Sequence, residues 1–142
     1  MKSKFSIRLR KIALRGEYVN VKHNGEEQEE TFEAASNHAI SLIDLQRFEE
    51  ARTLMRKTTR VARRVLGESH EDTLRMRWIY AETLHFDDGA TVDDLREAVT
   101  TLEDAAQIAR RVFGGEHPLT AGIEGHLQNA RKVLRARSAS LE

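Results

Sequence analysis

Val61-Ala62-Arg63-Arg64-Val65-Leu66-Gly67-Glu68-Ser69-His70-Glu71-Asp72-Thr73-Leu74 is the stretch on which the fold turns. An apolar-periodic run ends at Leu66, a glycine follows, and an acidic start opens a second periodic run. The turn within it, Gly67 to Thr73, is echoed by Gly25-Glu26-Glu27-Gln28-Glu29-Glu30-Thr31 and by Gly114-Gly115-Glu116-His117-Pro118-Leu119-Thr120. Self-similarity at a spacing of 42 to 47 residues marks stacked supersecondary units, each able to bury its apolar face only against its neighbours.

Working outward from the turn, the run before it places Ala51, Leu54, Met55, Thr58, Val61, Ala62 and Val65 at steps of mostly three and four, one face of a helix. The template returns as Ala98, Leu102, Ala105, Ile108, Ala109 and Val112, and more weakly as Leu9, Ile12, Ala13, Gly16 and Val19. The run after the turn is a second kind of helix: Thr31-Phe32 through Ala39 and Leu42 matches Thr73-Leu74 through Ala81 and Leu84. A single proline in 142 residues and few aromatics agree with helix throughout. The pattern predicts an all-α chain of about six antiparallel helices, over 4–22, 27–45, 47–66, 70–86, 92–113 and 117–137. Two complete helix pairs, 27–113, are flanked by single helices in one domain, 1–137. Residues 138–142 read as a tail, and Leu141-Glu142 as a cloning remnant. The longer second step is expected in a loop at Asp87-Asp88-Gly89-Ala90-Thr91.

Helix ends carry their own signals. Ser69 to Asp72 and Thr91 to Asp94 have the form of capping boxes, in which a hydroxyl accepts from a first-turn N–H. Pro118 suits a first helical position, where its missing N–H is harmless. Gly67 and Gly114 are expected to cap helix C-termini in the left-handed region.

Composition excludes several function classes. The 23 Lys/Arg balance 23 Asp/Glu, which argues against a chain dominated by nucleic-acid or membrane-surface attraction. Charge is segregated: residues 1–23 hold seven Lys/Arg and one Glu, residues 24–55 eight Asp/Glu and two Arg. There is no cysteine, hence no disulfide framework or thiolate metal site. No apolar run reaches the ~18 residues of a membrane span, and no signal peptide is evident. The expected compartment is the cytoplasm. His70 and His117 occupy the same slot of the turn, a repeat apart, so they read as helix-start contacts rather than metal ligands. His23, His38, His85 and His126 show no ligand spacing. With no phosphate-cradling glycine loop and no arguable catalytic triad, neither an enzyme nor a cofactor is expected. The basic stretch Arg56 to Arg64 lacks interleaved aromatics and reads as a solvated outer face.

The residues also match a family. Gln46-Arg47-Phe48-Glu49-Glu50-Ala51, the stretch Val61 to Leu74, and Ile108 to Thr120 together resemble tetratricopeptide-like repeats of the 42-residue kinesin-light-chain type. The small residues that let paired helices approach would be Ala39 and Ala81, Ala51 and Ala98, and Gly16, Thr58 and Ala105. Gln128 departs from the small-residue pattern, as suits the wet face of a terminal helix. The resemblance implies a protein–protein interaction module whose concave groove takes a peptide or partner segment. Carried over by position, the groove would show Glu33, Ser36, Asn37 and Ile40, then Arg75, Trp78, Ile79 and Glu82, then Asn129. Asn37 matches the asparagine with which the family holds a ligand's backbone, while Ile79 and His126 stand in the equivalent later slots. Trp78 reads either as an anchor or as inter-helix packing. The second expectation is a homo-oligomer, associating head-to-tail through the unpaired terminal helices.

Overall fold

A computed structural model describes residues 25–141. Within them the chain forms five helices and no strand: α1 (Gly25–Asp44), α2 (Phe48–Val65), α3 (Glu71–His85), α4 (Val92–Phe113) and α5 (Pro118–Ser140). The expected helix over 4–22, Gly16 and the paired small-residue role given to it fall outside the described residues. The other five expected helices are present, the one over 92–113 with both ends as expected and the rest with ends shifted by one to three residues, and α5 continues through Ser140 instead of stopping at 137.

Each helix packs on the next along the chain, and α1 also touches α3, as α3 touches α5. The result is two layers, with α1, α3 and α5 forming one and α2 and α4 the other. The core runs along the seam between them. Ala39 and Ala81, Ala51 and Ala98, and Ala105 have no exposed surface, and Thr58 is almost fully enclosed. The predicted small-residue positions within the described residues are thus enclosed in the seam. Thr58 is tolerated there because its hydroxyl donates to the Leu54 carbonyl at 2.7 Å, leaving no buried donor unpaired. Met55, Leu74, Met76, Leu84, Leu95, Leu102 and Ile123 fill the remaining space. By area, each such side chain contributes about 1.5–3 kcal/mol.

The turns explain the repeat. Gly67 and Gly114 hold φ of 93° and 88°, a region that costs an ordinary residue about 1–2 kcal/mol. The turn between α1 and α2 uses Gln46 instead, at φ 61°. There the Arg47 N–H donates to the Leu42 carbonyl and the Gln46 N–H to that of Ile43, the paired bonds of a Schellman motif. Thr91 and Asp94 form the expected capping box. At α3 the expectation needs correcting: the cap is His70, not Ser69. Its Nδ1 accepts from the Asp72 N–H at 3.0 Å, and Ser69 is exposed. His117 does the same for the Leu119 N–H at 3.1 Å, so the two histidines are helix-start contacts, as expected. The extra residues of the long step lie between α3 and α4, as the sequence predicts. Arg137 of α5 reaches across to that loop, donating to the carbonyls of Ala90 and Asp88.

Candidate functional site

The layer of α1, α3 and α5 carries the predicted groove residues, most of which fall into two groups. Glu33, Ser36, Asn37 and Ile40 of α1 join Asp72 and Arg75 of α3 around a cleft of about 190 Å³. Four of the seven predicted contact positions, Glu33, Asn37, Ile40 and Arg75, therefore share one cleft. Their spacing accounts for it: positions 33, 36, 37 and 40 stack on one side of α1. Ile40 keeps 41% of its surface exposed there. The Asn37 carbonyl accepts from the Ser41 hydroxyl at 3.1 Å, but its side-chain amide makes no hydrogen bond among the described residues. Arg75 is held at the rim by Glu71 at 3.0 Å and Asp72 at 3.8 Å. Burial pushes the Asp72 carboxyl above its ordinary range, against the pull of His70 and Arg75.

His70, Glu29 and Asp72 adjoin this cleft. They form the tightest grouping of histidine and carboxylates among the described residues, their candidate ligand atoms within 4.8 Å of one another. His70 commits Nδ1 to its cap, and its Nε2 stands 3.5 Å from Glu29 Oε1. The arrangement ties α1 to the start of α3.

Trp78 and Glu82 lie further along α3 and face α5. The indole rests against Gly122, so closely that a Cβ there would fall 2.4 Å from the ring. It also meets the His126 ring edge-on at 5.1 Å. Inter-helix packing thus describes Trp78 as placed. Glu82 is mostly enclosed, and burial, reinforced by the Asp44 charge, raises its pKa to about 7. His126 Nδ1 stands 3.7 Å from Glu82 Oε1, and burial lowers the pKa of His126. His85, edge-on to the rings of Phe86 and His126, is pushed down to about 4, first by burial and then by the charge on His126. Both of its ring nitrogens lack a hydrogen-bond partner. Sequence reasoning missed this cluster because no motif marks it. Its members come from two helices about forty residues apart.

Asn129 is exposed on α5 and joins neither group. Ile79, read by position as a groove residue, is instead 4% exposed and part of the core. On a helix of roughly 100° per residue it has turned inward, while its neighbour Trp78 lies against α5.

Known families match the same stretches. Residues 30–89 match one family model described as Tetratricopeptide repeat, and residues 91–119 match a second of the same description. No match is found among curated proteins or among solved structures. The first match takes in most of α1 with α2 and α3, and the second takes in α4 and the turn after it. Together they span well over half of the sequence. The chain belongs to the tetratricopeptide repeat family.

Proposed function

We propose that the cleft between α1 and α3 receives an extended segment of a partner protein. Repeats of this family generally serve as protein–protein interaction modules, so the chemistry is equilibrium binding on a preformed surface, not bond making. The observation that carries the assignment to this cleft is Asn37. Its amide offers a donor and an acceptor with no partner among the described residues, the pair needed to hold a peptide backbone unit. Beside it, Ile40 supplies exposed apolar surface, and Glu33 and Arg75 supply charges of opposite sign at the edges. Ile79 and His126, in the later equivalent slots, are buried and half-buried. They offer no second free amide, so the docking area centres on α1.

Peptides selected from a displayed random library against the immobilised protein supply the probe, and fluorescence anisotropy supplies the affinity. Asn37→Ala and Arg75→Ala are each expected to weaken the selected peptide by about tenfold, the loss of one good hydrogen bond at a binding surface. Unchanged affinity in both variants would remove this cleft from the reading. Head-to-tail association has less behind it. Gln128, Asn129 and Lys132 on α5 are exposed and polar, as suits a solvated end of a repeat array.

A further inference from the structure

The basic stretch of α2 is not part of the inner groove. Arg56, Arg60, Arg63 and Arg64 follow a spacing of four, three and one, which gathers them on one side of the helix. They are exposed, as a solvated outer face requires, yet they are not scattered. With Arg77 and Thr59 they line a cavity of about 550 Å³. Arg75 faces the inner cleft and Arg77 this one. Two residues apart on α3, they project roughly 200° from each other, so the cavity lies on the opposite, outer face.

Its charges are poorly compensated. Arg63 pairs with Glu68 at 2.7 Å. Arg77 is 7% exposed, and its carboxylate neighbours Glu68 and Asp104 stand at 3.7 and 3.6 Å, beyond hydrogen-bond length. A buried guanidinium with that little satisfaction is costly unless something further engages its N–H groups. The Thr59 hydroxyl is buried with no hydrogen-bond partner. Arg60 and Arg64 make no ion pair among the described residues. Tyr80, by contrast, is committed: its hydroxyl accepts from Arg56 at 3.0 Å and donates to Glu97.

We propose that this outer cleft binds a phosphate dianion, with Arg60 and Arg64 closing on it from α2 while Arg77 and Thr59 meet it at the floor. Guanidinium forks match phosphate oxygens in pairs. A dianion would also relieve the mutual repulsion of several cations around one hollow. A stacked nucleobase is not what the cleft is built for. Tyr80 lies under the Arg56 guanidinium, 5.7 Å from the ring centroid, and Glu68 and Glu97 interrupt any longer basic track. The same phosphate chemistry arrives on a small phosphorylated molecule or on a phosphoserine of a partner chain.

Titration calorimetry on the full chain separates the two carriers, using pyrophosphate, a phosphoserine peptide and its unphosphorylated counterpart. At least one phosphorylated probe is expected to bind. Arg60→Gln/Arg64→Gln should weaken it by at least about tenfold, whereas Arg111→Gln, an exposed arginine outside the cleft, should leave it within about twofold. Pyrophosphate alone binding assigns the small-molecule carrier. Tighter binding of the phosphopeptide assigns the protein carrier. The proposal is overturned if neither probe binds at millimolar concentration, if the double variant (folded, by circular dichroism) binds like the wild type, or if the Arg111 variant loses as much.

Discussion

Gly122 and Gly125 sit three residues apart on α5, and a methyl group added to each meets opposite surroundings. At Gly122 it would press into the Trp78 ring at 2.4 Å, while at Gly125 it meets nothing within 4 Å. Helix propensity favours alanine over glycine by about 1 kcal/mol at either position. Overpacking against a wedged indole costs about 1–3 kcal/mol, so the balance changes sign. Gly125→Ala is expected to raise the melting temperature by a few degrees. Gly122→Ala is expected to lower it and to shift the emission of Trp78, the only tryptophan in the chain. Equal stabilisation by both would show that the indole moves aside freely. At this scale the sequence was legible where backbone conformation left no choice, as at Gly67 and Gly114. It misled where two side chains compete for one task. Ser69 has the better capping reputation, but the turn after Gly67 sets His70 at the position whose side chain faces the free N–H groups. Nothing in the order Ser-His-Glu-Asp reveals that one-residue offset.

At the scale of elements, α3 and α5 meet through Glu82, His85 and His126, and their burial links the joint to pH. Folded Glu82 holds its proton up to about pH 7, against 4.5 for an ordinary glutamate. Between those values the folded state binds the extra proton, so this group's contribution falls as pH rises. Folded His85 stays neutral down to about pH 4, against 6.5 ordinarily. Between those values the unfolded state binds the extra proton, so the contribution rises with pH. From about pH 4.5 to 6.5 the two trends oppose each other. His126, also lowered by burial, adds to the rising side, so the wild type should show only a weak rise with pH from this joint. Glu82→Gln removes the falling limb, and its stability should climb by on the order of 2–3 kcal/mol across that interval. Urea denaturation at half-unit pH steps measures it, and a variant curve as flat as the wild type would refute the pairing. The helices themselves were readable from their apolar periods, whereas this joint was not. Periodicity says which side of a helix turns inward, but it does not say which residue of another helix waits there. Ile79 shows the limit: aligned to a ligand slot by position, it is held in the core by packing.

Across the whole molecule, a net charge of zero conceals two faces of different chemistry. Arg75 and Arg77 divide them, one beside Asn37 and the other beneath the arginine cleft. Overall composition excluded a chain ruled by polyanion attraction, and it was silent on a local hollow because a sum carries no positions. The order of the repeats was fully legible, since each helix touches only its near neighbours in sequence. The fastening of α5 to the loop between α3 and α4 was not. Arg137, near the end of α5, donates to two carbonyls of the loop between α3 and α4, about fifty residues earlier. That contact governs how the chain is cut. A protease needs several residues of loosened backbone, and the loop holding Asp88 and Gly89 is the natural place to find them. Arg137→Ala should make cleavage there several-fold faster under native conditions, seen as two fragments split near residue 88 in a timed digest, with the melting temperature moved by only a few degrees. A digest unchanged from wild type would mean that the loop is secured without Arg137, by its own turn and by Arg52, which reaches Asp87 at 3.4 Å. One guanidinium at the far end of the chain thus acts as a latch on the insertion between repeats, and sets how long that loop survives in the presence of proteases.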